Sequence, residues 1–77
     1  MNKNRRKKIT DVVEQISTLL EDLKDLVAEE GEYIENFPEN LQGSEKYEAA
    51  TELYDTLDEC ASSIEEACQT IVDEVTA

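Results

Sequence analysis

Apolar residues recur along this chain at alternating steps of three and four. In the first half Ile9, Val12, Ile16, Leu19, Leu23 and Leu26 keep that step without a break. With Ile9 as position a of a heptad, they fill successive a and d sites, the period of a helix that buries one side. Tyr33 and Phe37 stay in register, and Glu30 is the one interruption. Val13, Leu20, Val27 and Ile34 add a second stripe at position e. Three apolar positions in seven is the width of a bundle helix, broader than a two-stranded seam. In the second half Tyr47, Ala50, Tyr54, Leu57, Ala61, Ile64, Cys68, Ile71 and Val75 repeat the pattern, flanked by Leu53, Cys60 and Ala67. The many small residues on that face let another helix approach closely.

The two runs are separated by Asn36-Phe37-Pro38-Glu39-Asn40-Leu41-Gln42-Gly43. Proline lacks an amide proton and disfavours the α conformation in the residue before it, so the first helix should end near Asn36. Pro38 can open one short turn through Leu41, with Phe37 and Leu41 folding back to plug the core. Ser44 suits an N-cap, and Glu45 behind it suits the positive end of a helix. Gly31 costs a helix ~1 kcal/mol relative to Ala. The register holds across it, however, which predicts a continuous first helix. The chain therefore divides into a basic segment at 1–8, a helix at 9–36, a connector at 37–43 and a helix at 44–76.

Two helices of about thirty residues, each ~45 Å long, joined by a short connector, predict an all-α antiparallel hairpin in a single domain. Tyr33, Phe37, Tyr47 and Tyr54 then gather at the turn end, as a packed plug or as an exposed aromatic patch for recognition. A lone hairpin leaves part of each wide apolar stripe in water, and a chain of 77 residues has little core to spare. Two hairpins forming a four-helix bundle would cover it. Leu53, Leu57, Cys60, Ile64, Ala67, Cys68 and Ile71 are the candidate oligomer face, with a homodimer as the expected state.

Charge changes the picture in two ways. Seven Lys and Arg oppose twenty Asp and Glu, for a net of −13. Five of the bases, Lys3, Arg5, Arg6, Lys7 and Lys8, lie in the first eight residues. Beyond them only Lys24 and Lys46 stand against all twenty acids, a net of −18. Such a body repels nucleic acid and anionic lipid, and suits a protein partner with a basic surface. The basic start has three readings: a disordered tail, pairing of Arg5, Arg6, Lys7 and Lys8 with Asp73 and Glu74, or contact with nucleic acid or lipid. Pairing is the simplest in a hairpin that brings those ends together. Glu48, Glu52, Asp55, Asp58, Glu59, Glu65 and Glu66 form the candidate acidic interaction surface. Twenty acids over ~45 Å is about one per 2.3 Å, against about one per 1.7 Å in duplex DNA. The plain reading is a solvated face that keeps the rod soluble. The alternative is an acidic mimic of nucleic acid.

The chemistry of catalysis is sparse. There is no His, hence no His-based nucleophilic arrangement, and with two glycines no phosphate loop. The spacing of a calcium loop or of a helical Glu-x-x-His site is also missing. No catalytic residue, metal ligand or cofactor is expected. Cys60 and Cys68, eight residues apart, are ~12 Å apart along one helix and cannot bridge each other. They read as small core residues in a reducing compartment. Asp11 and Glu14 interrupt what would be the apolar core of a signal peptide, and no run is long enough to span a membrane. The expected place is the cytoplasm.

From the connector onward the string ENFPENLQGSEKYEAATELYDTLDECASSIEEA resembles a pattern in short, acidic, uncharacterised helical-hairpin proteins of Firmicute bacteria, their phages and mobile elements. There a basic start and amphipathic helix precede an Asn-x-Pro-Glu-x-Leu-Gln connector and a second acidic helix. The resemblance spans Asn4 to about Val75 and is most specific over Asn36 to Gln42. That pattern carries no agreed activity, so it transfers no functional residue. It implies phage or mobile-element biology in a bacterial or infected cell. Three functions follow as expectations: a non-enzymatic protein-protein interaction module, an acidic inhibitor of a host defence or nucleic-acid enzyme, or a small structural or assembly component of a phage particle.

Overall fold

The computed structural model describes Met1–Ala77 throughout. Helix α1 runs from Lys3–Glu35, a single 3₁₀ turn spans Glu39–Leu41, and helix α2 runs from Glu45–Thr76. The helices pack antiparallel as a hairpin 60 Å long and about 15 Å across. No strand is present, and no helix is long and apolar enough to cross a membrane.

The helix ends follow from local chemistry. Asn36 closes α1, Pro38 opens the 3₁₀ turn, and the Ser44 hydroxyl accepts the Tyr47 amide at 3.2 Å to cap α2. The start of α1 corrects the expected division of the chain. Residues 3–8 are its first turns, not a separate segment, because the Asn2 side chain accepts the Arg5 amide at 2.7 Å. Cations at a helix N-terminus oppose its dipole. Here the C-terminal end of α2, which has no base in its last turn, lies alongside. Arg6 Nη1 donates to the Val75 carbonyl at 2.5 Å.

Gly31 does not interrupt α1, which continues to Glu35. A Cβ there would stand 3.0 Å from Cε2 of Tyr54, so the glycine makes room for a ring on the facing helix. That ring lies a heptad beyond Tyr47 and pairs with none of the other three, which corrects the expected four-aromatic cluster. Tyr33, Phe37 and Tyr47 do gather, edge to face, with ring centres 5.4 and 5.3 Å apart. Leu41 stays exposed and does not plug the core.

The seam between the helices uses only part of each apolar stripe. On α1 it is built from the e stripe, Val13, Leu20 and Val27, with Ile34, Ile9 and Leu23 half-buried beside it. On α2 it follows every seventh residue, Tyr47, Tyr54, Ala61, Cys68 and Val75. The small Ala61 and Cys68 are the buried residues of α2. The d positions of α1, Val12, Leu19, Leu26 and Tyr33, are left in solvent. A single neighbour covers only part of a three-in-seven stripe, and α2 settles over its a/e side. Only five side chains of 77 are buried.

Candidate functional site

Two grooves run along the hairpin, one on each side of the seam, and their chemistry differs. The first is lined by the seam residues Val13, Leu20, Val27, Tyr54, Ala61 and Cys68, with Ala28 and Val72, and by the polar Ser17, Lys24, Asp58, Ser62, Glu65 and Gln69. Across it Lys24 Nζ donates to Glu65 Oε2 at 2.7 Å, the only salt bridge in the molecule. That hydrogen bond, aided by the charges of Glu65 and Glu21 and opposed by partial desolvation, raises the Lys24 pKa above its ordinary 10.5.

The second groove is apolar. Its floor is Ile9, Val12 and Ile16 with Ile71 at one end, and Ile16, Leu19 and Leu23 with Ile64 in the middle. Leu19 is 67% exposed, Leu26 61% and Leu53 51%. Arg5 and Lys8 border its end. On the outer edge of α2 the positions Leu53, Thr56, Cys60, Ser63 and Ala67 carry no charge.

Most of the candidate oligomer face lies here. Leu53, Cys60, Ile64, Ala67 and Ile71 are exposed, and Leu57 is half-buried at the margin. Cys68 is the exception: it is 8% exposed and belongs to the seam, so it cannot contribute to an outer face. The reading of both cysteines as core residues also fails for Cys60, whose thiol is free and exposed. Sequence reasoning missed the α1 half of the face, because Val12, Leu19 and Leu26 have the same pattern as residues that pack.

The seven candidate acids are all exposed. Their places on the hairpin differ. Asp58 and Glu65 line the polar groove, and Glu65 is engaged by Lys24. Glu48, Glu52, Asp55, Glu59 and Glu66 line neither groove. The basic start does not pair with Asp73 or Glu74, which corrects that expectation. Asp73 instead accepts from Gln69 at 2.8 Å, and Arg6 takes the helix-end carbonyl. At the turn end Tyr33, Phe37, Leu41 and Lys46 border an open cleft of about 590 Å³. Nowhere do three or more Cys, Asp or Glu side chains gather in a geometry that could hold a metal ion. Comparison with family models, with curated proteins and with solved structures finds no match to this chain.

Proposed function

We propose that this chain is a non-enzymatic protein-protein interaction module that docks through the apolar groove and its α2 edge. The observation that carries the reading is the asymmetry of the two grooves. One sets Lys24, Asp58, Glu65 and Gln69 and an ion pair beside the apolar side chains of the seam, while the other side leaves Val12, Ile16, Leu19, Leu26, Leu53, Ile64 and Ile71 in water. Burying a Val, Leu or Ile side chain is worth ~1.5–3 kcal/mol, so a partner that covers several gains substantially. The partner is a protein, since the exposed acids of the body repel nucleic acid and anionic lipid. Two unbridged cysteines suit a reducing cytoplasm. The connector resemblance adds a phage or mobile-element setting to the proposal.

Affinity capture from the source cell, comparing wild type with the Leu19→Asp, Leu26→Asp variant, tests this. Recovery of a protein, this chain included, that is lost with the variant supports the reading. Recovery unchanged by the variant, or no bound protein at all, contradicts it.

A second reading, the acidic inhibitor that imitates nucleic acid, draws on the acids outside both grooves, Glu48, Glu52, Asp55, Glu59 and Glu66. It predicts salt-sensitive binding to a basic enzyme. Charge reversal at Glu52, Asp55, Asp58 and Glu59 then abolishes binding, and unchanged binding removes this reading.

A further inference from the structure

We infer that the occupant of the apolar groove is a second copy of this chain, laid antiparallel across a two-fold axis at Leu19 and Ile64. This rests on the reading of that groove as the docking surface.

The area asks for a large partner. A compact monomer of this mass exposes ~4,700 Å², whereas the hairpin exposes 6041 Å². Its radius of gyration is 17.6 Å, against ~11 Å for a compact chain of this length. The excess of ~1,300 Å² exceeds the ~800 Å² per partner that a standard interface covers. The exposed face is two helices wide and runs from Val12 to Tyr33 on α1 and from Leu53 to Ile71 on α2. A second hairpin presents a face of that width and length.

Charge fixes the direction. The rod is polarised, with five bases at the start of α1 and Glu29, Glu30, Glu32, Glu35 and Glu39 near the turn. Parallel stacking would bring the two basic ends together. Antiparallel stacking lays each basic end on the acidic turn end of the other copy, α1 against α1 and α2 against α2.

The register then follows from residue spacing. A two-fold axis places side by side residues equidistant from it on opposite copies. Val12 and Leu26 each lie seven residues from Leu19, and Leu57 and Ile71 each lie seven from Ile64. Leu19 and Ile64 face the same stretch of groove. Lys8 and Glu30 each lie eleven residues from Leu19, and Arg5 and Tyr33 fourteen. Glu30 is the one acid in the apolar register of α1. It is half-buried and has no cation partner within the hairpin. Lys8, also unpaired, borders the groove. The antiparallel copy brings them together twice per dimer.

Cysteine scanning in full-length chains carrying Cys60→Ser tests the geometry, since Cys68 is buried. Leu19→Cys, on the axis, is expected to oxidise to a disulfide-linked dimer. Leu26→Cys alone should not cross-link, because its two copies stand ~21 Å apart along the rod. Mixed with Val12→Cys it should. Sedimentation equilibrium of wild type should give twice the 8.7 kDa chain mass. Lys8→Glu or Glu30→Lys alone should weaken dimerisation about tenfold through two symmetric pairs, and the double swap should restore it. A dimer that cross-links at Leu26→Cys alone but not at Leu19→Cys overturns the antiparallel register. A monomer at 100 µM overturns the second copy as occupant. The docking reading would still be decided by capture with the Leu19→Asp, Leu26→Asp variant.

Discussion

The two grooves of this hairpin are built from the same two helices and differ in what closes them. On the polar side Lys24 reaches Glu65, and Ser17, Asp58 and Gln69 meet water on favourable terms. On the apolar side of the seam, Ile16, Leu19, Ile64 and Ile71 stand exposed. The polar groove carries charge and hydrogen-bonding groups beside the seam. The apolar groove is an incomplete core, and the difference separates residues that hold the hairpin together from residues that bring something to it.

Neighbouring leucines break the comparison most sharply. Leu20 is in the seam and Leu19 is in the groove. Leu20→Ala should lower unfolding stability by ~2–5 kcal/mol at every protein concentration. Leu19→Ala should leave dilute samples nearly unchanged and cost stability only where the chains associate. Denaturant titrations at two concentrations a hundredfold apart check both. Equal losses for the two variants in dilute solution would erase the distinction between seam and groove.

Gly31 gives a smaller, signed effect. Replacing glycine by alanine inside a helix gains ~1 kcal/mol, but here the new methyl meets the Tyr54 ring at 3.0 Å. Gly31→Ala alone should fall short of that gain. In a Tyr54→Ala background it should recover it, as a thermal-melt double-mutant cycle would show. Equal gains in both backgrounds would mean that the ring does not select the glycine.

The smallest effect belongs to the polar groove. The Lys24 pKa is raised in the fold, chiefly by its hydrogen bond to Glu65. Its contribution is therefore fully present below the ordinary lysine value of 10.5 and is lost as pH rises through the higher folded value. Both partners are well exposed, so the contribution is small. The melting-temperature difference between wild type and Lys24→Gln should be modest and constant from neutral to mildly alkaline pH, where the carboxylate is charged, then shrink above that range. A difference that grows with alkalinity would contradict the assignment.

The hairpin, its connector and the Ser44 cap were legible in the sequence, because heptad spacing and proline chemistry act locally. The side of the stripe that packs was not. Leu19 and Leu20 are chemically alike, and only the position of α2 decides between them. The same holds for Cys60 and Cys68, one exposed and one buried. Gly31 looked like a weak point within α1, and its reason lay across the seam at Tyr54. The basic start looked like a segment before the first helix, paired with Asp73 and Glu74. Asn2 before it is a capping residue, but the cation run that follows is a poor helix opening by itself, and the end of α2 makes it tolerable.

Sedimentation equilibrium of wild type beside Leu19→Asp, with helicity followed by circular dichroism, tests the central claim most directly. The wild type should rise with concentration toward twice the 8.7 kDa chain mass, while the variant stays helical at the single-chain mass. A wild type that remains at the single-chain mass, or a variant that doubles as readily, would contradict it.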